Sequence, residues 1–307
     1  MPLELSEIRE GIITHQELRR LGWGSKRISS AWKRGDLVRL TRGIYLSGQI
    51  AKQCQQRDRA LALTLALGLA RQSAVISHQS AALLWGAPLL ALPSKVHLSL
   101  LTSDKSQHAQ ASFHNRRPQA FEQARQLAGV RVTAPGTTLL DCLQQGSVQE
   151  CLAIADYFLF QRLIERDDLT QQLARMHGAG SAKARVVAQL ASALSESPLE
   201  SFARLRLYQA GLDLGVQQLP LRTSAGRSYR ADFAWPQLKV LLEVDGLHKY
   251  FGAYRPVEEQ IRQDFLRQRE LEQEGWTIVR ATWEDLERRP QAVMARLRAL
   301  GVGPAQG

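Results

Sequence analysis

The segments Arg230-Ala-Asp-Phe-Ala-Trp235 and Val240-Leu-Leu-Glu-Val-Asp-Gly246 place Asp232, Glu243 and Asp245 inside short apolar runs that read as neighbouring strands. An ionised carboxylate among Leu and Val costs on the order of several kcal/mol unless a partner compensates it. Three acids converging at the ends of adjacent strands therefore point to a divalent cation, and through it to phosphodiester chemistry.

Upstream, Ser197-Pro-Leu-Glu200 opens a helix with Ser197 as N-cap and a proline at the first helical position. That helix is expected to run to about residue 210. Strands are expected over 216–221, 229–235 and 239–244, a long helix over 257–274 and a last strand over 277–281. Glu200 has capping-box spacing from Ser197, which accounts for it as well as a metal does. Asp232 has Arg230 and Arg280 as candidate ion-pair partners, Glu243 has Lys239, and Asp245-Gly246 also fits a plain turn. Trp235, Trp276 and Trp283 read as core anchors rather than base-stacking platforms.

This order of elements, with Ala231-Asp-Phe-Ala-Trp235, Leu242-Glu-Val-Asp-Gly-Leu-His248, Asp264-Phe-Leu-Arg267 and Gly275-Trp-Thr-Ile-Val-Arg-Ala-Thr-Trp283, resembles the PD-(D/E)XK nuclease superfamily. Within it, the segment looks like the small DUF559-like bacterial domains related to very-short-patch repair endonucleases. The resemblance covers about the last third of the chain. It implies a Mg²⁺- or Mn²⁺-dependent endodeoxyribonuclease with Asp232 and Glu243 as metal ligands and Glu200 and Asp245 joining them. Mg²⁺ takes hard oxygen ligands and keeps several waters, one of which it would activate for in-line attack. Asp245 stands where the lysine that names the superfamily would fall, so the positive charge passes to the metal, Lys249 or Arg267. His248 is the proton carrier that the resemblance implies, and a surface loop histidine on the plainer reading.

The first fifty residues read as helix, helix, hairpin. Thr14-His-Gln-Glu17 has capping-box spacing. Ser25 is expected to cap a second helix whose inward stripe is Ile28, Ala31 and Trp32. Lys26, Ser29, Ser30 and Lys33 fall on its other face, flanked by Arg27 and Arg34. The hairpin follows, with Gly43 at its turn and Arg39 and Arg42 on it. Between Thr14 and Leu46 eight basic residues face two acidic ones. This stretch resembles a winged helix-turn-helix, specifically the N-terminal domain of AbiEi-type antitoxins. The resemblance implies a recognition helix in the major groove, with Lys26, Ser29, Ser30 and Lys33 facing base edges, Arg27 and Arg34 touching phosphates, and Arg39 and Arg42 on backbone or minor groove. A solvated charged face on a protein-protein module is the alternative. Ala74-Val-Ile-Ser-His-Gln-Ser-Ala-Ala82 and 130–141 look like the continuation of such proteins, with His78 read as structural.

The whole chain has 307 residues and a formal net charge of +11, a balance that favours a polyanionic partner. Its most apolar run, Ala60 to Ala70, falls short of the roughly 20 residues that span a bilayer and reads as a buried helix. The opening residues carry no signal peptide pattern. Cys54, Cys142 and Cys151 are widely spaced and read as small core residues of a reducing compartment, the cytoplasm.

The expected fold is mixed α/β (α+β). A winged helix-turn-helix occupies 1–50, an antitoxin-like α/β middle region 51–195, and a restriction-endonuclease-like mixed sheet flanked by helices 196–300, with a tail at 301–307. The expected function is a DNA-binding protein carrying a metal-dependent endonuclease. The rival is an AbiEi-like transcriptional regulator or antitoxin whose nuclease-like fold is catalytically inactive. Its partners would be DNA, with no membrane, and a cognate toxin or a second copy of the chain.

Overall fold

The computed structural model describes residues 2–101, 108–115, 121–245 and 257–304, with the backbone alone over 257–264. The chain forms two compact units, Met1–Ser147 with Arg166–Arg185, and Val148–Glu165 with Val186–Gly307. These are drawn differently from the segments expected at 1–50, 51–195 and 196–300. The N-terminal helices and the middle sheet share one hydrophobic core, in which Ile8, Ile12 and Leu46 pack with Leu65, Ile76 and Leu98.

In the first unit, α1 (Leu5–Gly11) and β1 (Ile12–Thr14) lead into α2 (His15–Arg20) and α3 (Ser25–Arg34). The hairpin β2 (Leu37–Thr41) and β3 (Ile44–Ser47) follows, and the antiparallel order is β1-β3-β2. The capping box forms as expected: the Glu17 N–H donates to Thr14 Oγ1 at 3.1 Å and the Thr14 N–H to Glu17 Oε2 at 2.7 Å. Gly24, not Ser25, is the N-cap of α3, and Ser25 is its first helical residue.

Ile28 and Ala31 are buried against Leu18 and Leu37. Trp32, expected in the same stripe, is instead 47% exposed. Its ring stands outside this four-residue core and faces the Arg39 guanidinium at 5.7 Å. Gly35, at φ +82°, ends α3 in the left-handed conformation that glycine adopts without steric cost.

The next residue to constrain α3 is Gly48, whose N–H donates to Asp36 O at 2.8 Å. A Cβ there would meet the Gly35 carbonyl oxygen at 2.0 Å. Gly48→Ala should therefore cost about 1–3 kcal/mol by overpacking, read as a lowered urea midpoint. An unchanged midpoint would show that the hairpin yields freely.

After α4 (Gly48–Gln53) and α5 (Gln56–Ala70) come β4 (Val75–Ile76), α6 (His78–Leu84), β5 (Val96–Leu100), β6 (Ala111–Asn115), β7 (Arg125–Leu127) and β8 (Val130–Val132), in sheet order β6-β5-β4-β8-β7. The apolar run becomes the buried part of α5, as expected, with Leu61, Leu65 and Leu67 in the core. Among the described residues no helix is long and apolar enough to cross a membrane. Helices α7 (Pro135–Gln145), α8 (Val148–Phe160), α9 (Arg166–Ala174) and α10 (Ser181–Leu190) follow. All three cysteines are buried thiols, none in a disulfide.

The second unit adds α11 (Pro198–Gln209), β9 (Val216–Arg222), β10 (Ser228–Trp235), a 3₁₀ turn (Pro236–Leu238), β11 (Val240–Asp245), α12 (Val257–Gln273), β12 (Thr277–Thr282), α13 (Trp283–Arg288) and α14 (Pro290–Ala299). Its mixed sheet has the order β12-β11-β10-β9, with β11 and β12 parallel and the other pairs antiparallel. Each element expected from sequence here is present within two residues of its expected ends. One sheet face carries Phe233, Trp235, Leu242 and Val279 against α11 and α14, and Leu271 and Trp276 pack with Leu241 on the other. Trp235 and Trp276 are buried and Trp283 is half-buried against Phe202, so all three anchor the core.

Candidate functional site

Strands β10 and β11 position two of the acids. Phe233 pairs with Leu242 and Ala234 with Leu241, and Asp232 and Glu243 are the next residues along the two strands, just beyond that paired register. Asp232 Oδ2 accepts the Val244 N–H at 2.8 Å. Burial raises its pKa to about 6, despite that hydrogen bond, with Glu200 and Glu243 adding to the rise and Arg267 opposing it. The structure thus brings Glu200 and Glu243 within electrostatic reach of Asp232.

Glu243 is buried and bridged by two arginines. Arg267 donates to Oε1 at 2.6 Å, and Arg280 lies 3.6 Å from Oε2. None of the three partners considered from sequence takes its expected place: Lys239 sits over the Trp276 ring at 4.7 Å, Arg230 pairs with Glu196, and Arg280 faces Glu243 instead of Asp232.

Glu200 completes the cap of α11: its N–H donates to Ser197 Oγ, Ser197 Oγ donates back to Oε1, and Gln218 and the Glu196 N–H donate to Oε2. Asp245 is exposed at the strand end, paired in register with Thr282. His248 and Lys249 lie outside the described residues.

The donor chemistry fits a hard cation, but in this arrangement both Glu243 oxygens face guanidinium groups. A metal shared by Asp232 and Glu243 would have to displace Arg267 from Oε1. Among the described residues, no three acids bring donor atoms within 4.8 Å of one another.

The strained carboxyl gives a prediction. The unfolded Asp232 titrates near 3.8 and the folded one near 6. The folded state therefore holds the extra proton between about pH 4 and 6, and stability is lost as pH rises through that window. Asp232→Asn, which cannot ionise, should be more stable than wild type by up to about 3 kcal/mol at pH 7 in chelator and indistinguishable near pH 4. Denaturant unfolding at the two pH values checks this, and an equal effect at both would remove the electrostatic cause.

The second site is the outer face of α3. Lys26, Arg27, Ser29, Ser30 and Lys33 are all exposed, while Ile28 and Ala31 fix the opposite side. The Arg27 guanidinium stacks on Trp23 at 4.1 Å, Arg34 pairs with Asp36 at 2.7 Å, and Arg39 and Arg42 stand exposed on the hairpin.

Residues 1–48 match the family model of the AbiEi antitoxin, a transcriptional regulator. That match covers the two helices and the hairpin just described, and it fits the winged-helix fold of this segment. The uncharacterized proteins MT2308 and Rv2248, from two strains of Mycobacterium tuberculosis, are each 31% identical over 172 residues. The aligned stretch is 56% of this chain and 62% of theirs, so the chain spans under two thirds of the curated relatives it matches. The crystal structure of the RV2827C protein, also from Mycobacterium tuberculosis, superposes with a TM-score of 0.39 at 13% identity, over 65% of this chain and 78% of that one.

Proposed function

We propose that this protein is a sequence-specific DNA-binding regulator of the AbiEi antitoxin kind, with α3 in the major groove and the β2-β3 hairpin as the wing. The observation that carries the reading is the division of α3 into a packed side, Ile28 and Ala31, and a wholly exposed side of Lys26, Ser29, Ser30 and Lys33, in the segment that matches the regulator family. Ser29 and Ser30 are short hydroxyl side chains suited to base edges, and the basic residues around them suit phosphates. A cognate toxin is the protein partner that this family description implies. The test is selection of bound duplexes from a random library by the full chain. Enrichment of one motif supports the reading, and retention of all sequences alike would reduce the site to a nonspecific basic patch.

A second reading, a metal-dependent nuclease in the second unit, is favoured by one observation: Asp232 is buried beside Glu200 and Glu243 and holds its proton up to about pH 6. A cation would relieve that repulsion. Asp232 and Glu243 would hold Mg²⁺ or Mn²⁺, and Arg267, released from Glu243, would supply the positive charge that the Asp245 position lacks. Against it, Glu243 already has its counter-charges in Arg267 and Arg280, and Glu200 is consumed by the helix cap. Single-stranded, duplex and branched DNA incubated with either metal separates the readings. Cleavage by wild type and none by Asp232→Ala would establish the enzyme, whereas intact DNA throughout leaves the regulator alone.

A further inference from the structure

Outside both sites, the first unit gathers three histidines that the sequence keeps apart. His78 opens α6 directly after β4, His97 lies on β5 and His114 on β6. We propose that these three imidazoles form a binding site for one divalent transition-metal ion of the zinc, cobalt or nickel class.

The sheet register brings them together. In the parallel β5-β6 pair, His97 is opposite Ser112 and Ser99 opposite His114, so both histidines share one face. Val96, Leu98 and Leu100 alternate onto the other face and join the apolar core. His78 closes the cluster from the helix side. Its ring centroid is 3.9 Å from that of His114 and 5.1 Å from that of His97. One donor atom from each of the three rings lies within 4.8 Å of the others.

His97 Nδ1 and His114 Nε2 are 2.9 Å apart. That contact needs a bare lone pair on one nitrogen, and a bare lone pair is also what a metal takes. Behind the cluster, His78 Nδ1 lies 3.0 Å from Ser77 Oγ and 3.8 Å from the fully buried Asp141 carboxylate. The Ser77 contact is of the kind that fixes the tautomer and orientation of a ligating imidazole, and the carboxylate adds a nearby negative charge. His97 and His114 are half-buried, which leaves an approach from solvent.

Simple ring packing explains the arrangement less well. Phenylalanine would stack without bringing buried nitrogen atoms that need partners. His78 also adopts φ +54°, a left-handed conformation that is sterically unfavourable for a residue with a Cβ and that clusters at functional sites. Three nitrogen ligands with no thiolate select a borderline ion and leave a fourth position for water or a further ligand.

The test uses the full-length, untagged protein, freed of metal by a chelator and titrated with Zn²⁺ and Co²⁺ by calorimetry and visible absorption. One equivalent per chain is expected, with Co²⁺ giving the d-d bands of a low-coordinate nitrogen site. His97→Gln and His114→Gln, placed at the half-buried positions to spare the fold, should each weaken binding by about 100-fold or more, beyond the 10–100-fold typical of outer-contact changes. Asp141→Asn should fall within that lower range, and circular dichroism monitors folding of each variant. The proposal is overturned if wild type takes up no metal or if the histidine variants bind equally well.

Discussion

Full-length protein carrying Lys26→Ala, Arg27→Ala and Lys33→Ala together is expected to bind duplex DNA about 100-fold more weakly than wild type, at a salt concentration where both are measurable. The three residues are exposed on one side of α3, and only Arg27 touches the packed side, through its stacking on Trp23, so circular dichroism of the triple variant should show the fold intact. If all three contact phosphates, the dependence of log K on log salt should also become shallower by about 3, because each lost contact no longer releases its counterions. Ser29→Ala and Ser30→Ala should behave differently, shifting the preferred sequence while keeping the salt slope, since base contacts specify and phosphate contacts position. Arg34→Ala should have the smallest effect of the flanking set, because Asp36 already offsets its charge. Anisotropy titrations at several salt concentrations decide the matter. A triple variant with wild-type affinity and slope would take the winged helix out of the DNA interface.

What the sequence revealed of this molecule follows the range of the interactions. Thr14 with Glu17, and Ser197 with Glu200, are capping pairs three residues apart, and both formed as read. The apolar runs around Asp232 and Glu243 also marked two neighbouring strands, and those strands pair. Trp32 was misplaced because helical periodicity gives the direction of a side chain but not the size of the core it meets. The arginines on Glu243 were missed for another reason. Arg267 arrives from a helix 24 residues away and Arg280 from the parallel neighbour strand; sequence singled out both, but as a catalytic cation and as a partner of Asp232, because it does not show which acid each would meet. The histidine cluster had no readable spacing at all: positions 78, 97 and 114 meet only through the order β6-β5-β4 of the middle sheet. Its nearest sequence signal was the polar alternation of His97 and Ser99 between Val96, Leu98 and Leu100, in a strand with both faces covered.

The most damaging single substitution in the second unit should be Arg204→Met. Arg204 on α11 and Asp156 on α8 are both almost wholly buried and form an ion pair. Arg204 also donates to Ser195 Oγ at 2.6 Å, while Asp156 accepts from Ser201 Oγ and, at 2.8 Å, from the Ser192 N–H. Burial pushes the Asp156 carboxyl upward, and the Arg204 charge is the largest influence holding it down. Removing the arginine leaves a buried carboxylate with two neutral donors, which should cost about 3–5 kcal/mol. Because the folded pKa then rises further above the unfolded value, the penalty belongs to the ionised form. It should be full at pH 8 and shrink as pH falls toward 4, where protonation relieves it. The double variant Asp156→Leu with Arg204→Met removes both charges and should recover most of the loss, since a buried pair is often no better than an apolar replacement of similar volume. Urea unfolding at pH 8 and pH 4.5 of the two variants and wild type tests the account. A single variant that costs the same at both pH values, or a double variant as unstable as the single, would mean that Arg204 holds α8 to α11 by packing and not by charge.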